Sequence, residues 1–291
     1  MKPGAAAPPQ PFFLDGAAAA RFCLYHPAVS SPAAPLRGAI VYLHPFAEEM
    51  NKSRRMAALQ ADALAAAGYA VLRIDLHGCG DSAGDFGDAT WDSWLADAGR
   101  ASRWLQQQLG DRLTGAPALW GLRLGALLAL DYARRATVAP SFLLLWQPVT
   151  SGTVALTQFL RLAVAGQMLA PDSAAQGGTA ALRARLADGE TLEIAGYALN
   201  PQLAAALDAQ DAARQAPPPC PVHWLELVPE AGRPLPAAAS RVVARWQEAG
   251  IDVAPQTVAG PPFWATQEIA TSPALLDQTV LALSCADHAA G

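Results

Sequence analysis

The residues of this chain that could do chemistry gather at the ends of apolar runs. The most informative stretch is Trp120–Leu130, WGLRLGALLAL, where an apolar run enters Gly121-Leu122-Arg123-Leu124-Gly125 and continues with helical periodicity. A strand, a sharp turn and a helix, with a glycine two residues to either side of the centre, is the layout by which G-x-S-x-G lifts a nucleophilic Ser above a sheet. Here the centre is Arg123, whose guanidinium stays protonated and cannot attack a carbonyl. A planar five-donor cation at the head of a helix suits two roles. One is to bind a carboxylate or phosphate with help from the helix amides; the other is an internal ion pair with Glu48 or Glu49 on the adjoining loop.

Other groups stand near the same place in the chain order. Glu48 and Glu49 could act as a general base for water, with Arg123 stabilising the charge that develops. Cys79 and Ser82 lie on the loop after the run Ala70–Asp75, with His77 and His44 at hand, so a nucleophile and base could be assembled there. Against this, a Cys often packs as a small hydrophobe and a Ser often caps a turn. The carboxylate expected after Val222–Leu227 is Glu230, with Glu226 as second choice. After the last apolar run the chain reads Gly260-Pro261-Pro262-Phe263-Trp264, with no His. Phe263 and Trp264 are expected to wall the pocket there, together with Phe46 and Leu124. His288 reads as a tail residue past the last helix, His223 as a satisfied structural residue on a strand, and Trp91, Trp94 and Trp104 as core.

These residues need a scaffold. The chain has 291 residues, 52% hydrophobic and only 15% charged, which excludes a disordered polyelectrolyte. A net charge of −5 without a dense basic cluster argues against nucleic acid as a partner. The four cysteines are scattered and unaccompanied by zinc-like His spacing, so neither disulfides nor a metal or other cofactor is expected. Met1–Leu14 lacks the pattern of a secretory signal, which makes the cytoplasm the expected compartment. The uncharged stretch Ser141–Leu160 is interrupted by Gln147, Pro148 and several Thr and Ser, so membrane contact is at most peripheral.

Short apolar runs alternate with helical patterns: Arg21–His26, Gly38–His44, Ala70–Asp75, Pro117–Trp120, Ser141–Trp146, Val222–Leu227 and Asp252–Val258 against helices at Asn51–Ala67, Trp91–Leu109 and Ala237–Ala249. The alternation predicts an α/β fold with a mostly parallel, doubly wound sheet. Residues 21–150 and 220–291 form its core, after a Pro/Ala-rich segment 1–20. The long interval 151–219 reads as a helical cap insertion, with helices near Thr153–Leu169 and Ala180–Ala187 around a Gly-rich break at Gln176–Thr179.

Three segments carry a resemblance. Asp75-Leu76-His77-Gly78-Cys79-Gly80-Asp81-Ser82 is similar to the D-x-R-G-x-G-x-S turn of the α/β-hydrolase superfamily, with His77 in place of Arg. His44–Met50 sits where members carry the loop that donates an oxyanion-hole amide, and WGLRLG sits at the nucleophile turn. HPFAEEMNKSRR, DLHGCGDSAGDF, WGLRLG and GPPFW together resemble the exosortase A system-associated hydrolases of the type called hydrolase 2. The resemblance implies an α/β-hydrolase fold and an ester, thioester or amide hydrolase with neither triad Ser nor triad His. It equally implies a non-catalytic relative that binds an acyl or anionic small molecule. It also implies a bacterial cytoplasmic setting, with a second α/β-hydrolase or an exosortase- or exopolysaccharide-system protein as partner.

Overall fold

The computed structural model of the chain describes residues 7–15, 19–31, 35–168 and 177–289. In chain order its elements are β1 (Gln10–Leu14), β2 (Arg21–His26), β3 (Gly38–Leu43), α1 (Glu48–Ala66), β4 (Tyr69–Ile74), α2 (Trp91–Leu109), β5 (Ala118–Leu122), α3 (Leu124–Arg135) and β6 (Leu143–Trp146). There follow α4 (Gly152–Met168), α5 (Gly178–Ala187), β7 (Leu192–Ile194), β8 (Tyr197–Leu199), α6 (Pro201–Asp208), β9 (Val222–Val228), α7 (Ala237–Glu248), β10 (Val253–Ala259) and α8 (Pro273–Ala289).

Eight strands make one sheet in the order β1-β2-β4-β3-β5-β6-β9-β10. β2 runs antiparallel to both β1 and β4, and the remaining pairs are parallel. The central strands are buried on both faces, as helix-covered parallel strands must be. Alternate residues serve opposite layers: Leu119 belongs to the core layer that holds the buried faces of α2, α3 and α7, and Trp120 to the one that holds those of α1 and α8. The crossover direction reverses at β3, which lies between β4 and β5. The loops after β3 and β5 therefore diverge and leave a crevice at the carboxyl ends of the strands.

Local chemistry explains the helix ends that the sequence reveals. Thr90 caps α2: its hydroxyl accepts from the Ser93 amide, and the Ser93 hydroxyl accepts from the Thr90 amide. Other limits differ from the expectation. β1 lies inside the segment read as a Pro/Ala-rich lead-in. The β7–β8 hairpin and α6 escape a periodicity reading because three-residue strands and an eight-residue helix carry too few repeats. α8 continues to Ala289, so His288 belongs to the last helix and not to a tail beyond it; its side chain, like Leu169 and Gln176, lies outside the described residues.

Candidate functional site

The turn between β5 and α3 has the sharpness its glycines require. Arg123 has φ 56° and ψ −116°. A Cβ on Gly121 would stand 2.5 Å from Ala126 Cα, and one on Gly125 would stand 2.3 Å from the Leu43 carbonyl oxygen. Opposite, Ala47 enters α1 with φ 50° and ψ −128°, and Gln147 after β6 has φ 42°. Non-glycine residues in such conformations cost on the order of 1–3 kcal/mol each. Three of them stand at the ends of β3, β5 and β6, so the strain is concentrated at one place on the sheet.

Arg123 answers the question its type raised. Its Nε lies 3.3 and 3.4 Å from the two carboxyl oxygens of Glu49, and its Nη2 donates to Glu49 Oε1 at 3.2 Å. Its guanidinium carbon stands 5.2 Å from the centre of the Trp264 ring. The side chains of Arg123 and Glu49 are only 18% and 23% exposed. Burial pushes the Glu49 carboxyl above its ordinary range, although Arg123 pulls it down. α1 starts three residues earlier than its periodicity suggests, which puts Glu48 and Glu49 in its first turn, where carboxylates complement the helix end.

Above this pair lies a cavity of about 190 Å³ lined by Phe46, Glu48, Glu49, Arg123, Leu124, Val149, Ala155, Gln158, Phe159 and Leu162. Five of these, Arg123, Glu48, Glu49, Phe46 and Leu124, were expected from the sequence. The others come from the chain after β6 and from α4, whose i, i+3 apolar spacing at Phe159 and Leu162 is the signal that finds them. Phe46 meets Phe159 edge-on with centroids 4.9 Å apart, and Phe86 meets Tyr197 at 5.0 Å, so the segment after β6 is packed onto the core loops.

Of the two carboxylates near the end of β9, Glu226 is buried and Glu230 is exposed. Glu230 is 76% exposed, and its ion-pair partner is Arg233 at 3.9 Å. Glu226 is 4% exposed and accepts from Trp224 Nε1 at 2.8 Å and Gln147 Nε2 at 2.9 Å. Burial raises its pKa, while the Trp224 bond and the nearby Arg123 charge oppose the rise. Gln147 in turn accepts from the Leu227 amide at 2.6 Å, which fixes its strained backbone.

The structure removes several candidates from the site. His44 has both ring nitrogens occupied: Nδ1 lies 2.7 Å from the Pro45 carbonyl, and Nε2 accepts from the Leu76 amide at 3.2 Å. Burial lowers its pKa, so it is a neutral latch between two loops and not a base. The Cys79 thiol is buried and its pKa is pushed up to about 12, first by burial and then by Asp75, which leaves no reactive thiolate. Ser82 donates to the Asp75 carbonyl at 2.5 Å and accepts from the Phe22 amide, so it fastens the turn. Phe263 is fully buried against Trp146 and Trp264 and does not line this cavity. Trp264 touches Arg123 but is not part of the cavity lining. His77 receives Arg21 Nη2 at 2.7 Å, while Arg21 is held by Asp97. His223 is not the satisfied residue expected: its buried Nδ1 has no hydrogen-bond partner among the described residues.

The geometry is that of a nucleophile turn without a nucleophile, and among the described residues no His side chain contacts Arg123. No group of three or more potential metal ligands occurs among the described residues, and no helix there is long and apolar enough to cross a membrane.

Sheet order, the strained turn after β5 and the acid on β9 define an α/β-hydrolase-fold protein. A family model described as serine aminopeptidase, S33, matches residues 34–194, more than half of the chain, and the chain belongs to that family. A comparison with curated proteins finds no match. Among solved structures it is similar to a thermostable carboxyl esterase from Bacillus coagulans, at 16% identity and a TM-score of 0.62, covering 97% of this chain and 99% of the other. It is also similar to a monoglyceride lipase variant from Saccharomyces cerevisiae, at 14% identity and 0.60, covering 98% and 97%. For Est1E from Butyrivibrio proteoclasticus with bound ferulic acid the values are 17% and 0.59, covering 96% and 100%. At these identities the likeness concerns the fold.

Proposed function

We propose that this family member uses the hydrolase scaffold to bind a small, largely apolar ligand between Arg123 and α4, and that it does not hydrolyse by a serine triad. The observation that carries this reading is Arg123 itself, held at the nucleophile position by Glu49 and covered by Trp264. Acyl transfer on this fold needs a nucleophile, a His to take its proton and a carboxylate to orient that His. Only the carboxylate has a counterpart, and Glu226 is engaged by Trp224 and Gln147. The retained strain at Ala47, Arg123 and Gln147 supports a site still in use, since strain at a functional site persists where the surroundings hold it.

Glu49 as a base for water is the weaker alternative, because both its oxygens face the Arg123 guanidinium. The motif resemblance supports a setting beside an exosortase or exopolysaccharide system in the cytoplasm, with another α/β-hydrolase as partner. The test is hydrolysis of short and long acyl p-nitrophenyl esters and thioesters by wild type and Arg123→Ala purified in parallel. Equal background rates are expected. Turnover in wild type that collapses in the variant would overturn the reading.

A further inference from the structure

Resting on that binding reading, we propose that the cavity between Arg123 and α4 selects a ligand with a hydrogen-bond-donating primary amine on a short apolar chain, and that Glu48 receives the amine.

Three observations meet at this cavity. Its walls are mainly apolar, Phe46, Leu124, Phe159 and Leu162 among them, and its volume of about 190 Å³ suits a chain of about six non-hydrogen atoms if each takes the ~30 Å³ that one water takes in the liquid. Arg123, the cation that lines it, has its Nε–Nη2 edge taken by Glu49 and an indole ring against its guanidinium, so its charge is already matched by one carboxylate. Glu48 lines the same cavity, and among the described residues its carboxyl has no hydrogen-bond or ion-pair partner. A carboxyl in a mainly apolar wall gains from a donor that arrives with the ligand.

Charge points the same way. Arg123 already has Glu49 as its partner, so Glu48 is the carboxyl left over among the lining residues, and an ammonium finds an acceptor there. An ammonium supplies three donors, enough to satisfy Glu48 and Gln158 together. Recognition of a donor by a site built with a waiting acceptor also gives strong rejection of analogues that lack it.

The experiment is calorimetric titration of wild type, Glu48→Gln and Leu162→Trp with hexylamine, 1-hexanol and hexanoate at neutral pH. Hexylamine is expected to bind wild type at least about tenfold more tightly than hexanol, the worth of a charge-assisted hydrogen bond, with hexanoate weakest. Glu48→Gln is expected to erase the preference for the amine while hexanol binding is kept. Leu162→Trp, which fills the cavity from a half-exposed position, is expected to lose all three. Binding of hexanol or hexanoate without preference for hexylamine would overturn the amine assignment and leave the binding reading standing. No binding by any probe would overturn both. If Glu48→Gln fails to fold, the order of the three ligands on wild type decides alone.

Discussion

Arg123 and Trp264 meet face to face, guanidinium over indole at 5.2 Å, joining the turn after β5 to the turn after β10. The resemblance to α/β-hydrolases makes these the turns from which a Ser and a His would face one another. A cation–π contact stands between them in this chain, and Glu49 completes it from α1.

The Arg123–Glu49 pair is half-shielded, so removing one partner strands the other in a poorly hydrated place. Arg123→Ala is expected to destabilise the fold by about 1–3 kcal/mol, and Glu49→Gln by less, because the amide keeps one acceptor. Urea unfolding of both singles and the double variant measures their coupling, expected near 1 kcal/mol. Strict additivity would mean that the pair contributes nothing.

Restoring the missing atom is not expected to restore chemistry. Arg123→Ser would present a hydroxyl at the strained turn, but among the described residues no imidazole stands beside it, and Glu49 would be left without its cation. Hydrolysis of p-nitrophenyl acetate by Arg123→Ser is expected to stay at background. A rate well above wild type would show that another base reaches the turn.

Two glycines distinguish sharp constraint from none. Gly125→Ala drives a methyl into the Leu43 carbonyl at 2.3 Å, with backbone on both sides, and is expected to yield little folded protein. Gly166→Ala, in α4, meets nothing within 4 Å and is expected to gain about 0.5–1 kcal/mol from helix propensity. Thermal melts of the two against wild type check both signs.

Acid sensitivity follows from the histidines. Burial holds His26, His44 and His223 below the ordinary 6.5, so the unfolded chain takes up protons that the native chain refuses. Stability is therefore full above pH 6.5 and falls as the pH drops through the lowered values. Glu49 and Glu226, raised by burial, act in the opposite sense: their contribution is present below 4.5 and is lost as pH rises through their raised values. His223→Leu is expected to flatten the Tm profile just below pH 6.5, since His223 Nδ1 has no partner to lose among the described residues. An unchanged slope would rule His223 out as a source.

The parts of the site that sequence reveals are those coded locally. Gly121 and Gly125 announce the turn because backbone crowding tolerates nothing larger, and Thr90 announces α2 because its hydroxyl serves an amide three residues on. What stays hidden is non-local. Nothing in the residues around His44 tells that the Leu76 amide closes one nitrogen, and nothing around Glu226 tells that Gln147 reaches it from the neighbouring strand. Glu226 also sits inside a wholly buried strand, so no alternation marks it, whereas Glu230 follows the apolar run and draws the eye. α1 begins at Glu48 behind Ala47, an N-cap without a capping side chain, and that is why its first turn and its two carboxylates read as loop.

The residue at the centre of the β5–α3 turn also decides how this protein answers to covalent reagents. Fluorophosphonates mark serine hydrolases by bonding to the oxygen at that turn, and Arg123 offers a cationic nitrogen with no lone pair to give. A cell extract surveyed with such reagents is expected to leave this turn unlabelled, so the chain's presence is better followed by mass or by antibody.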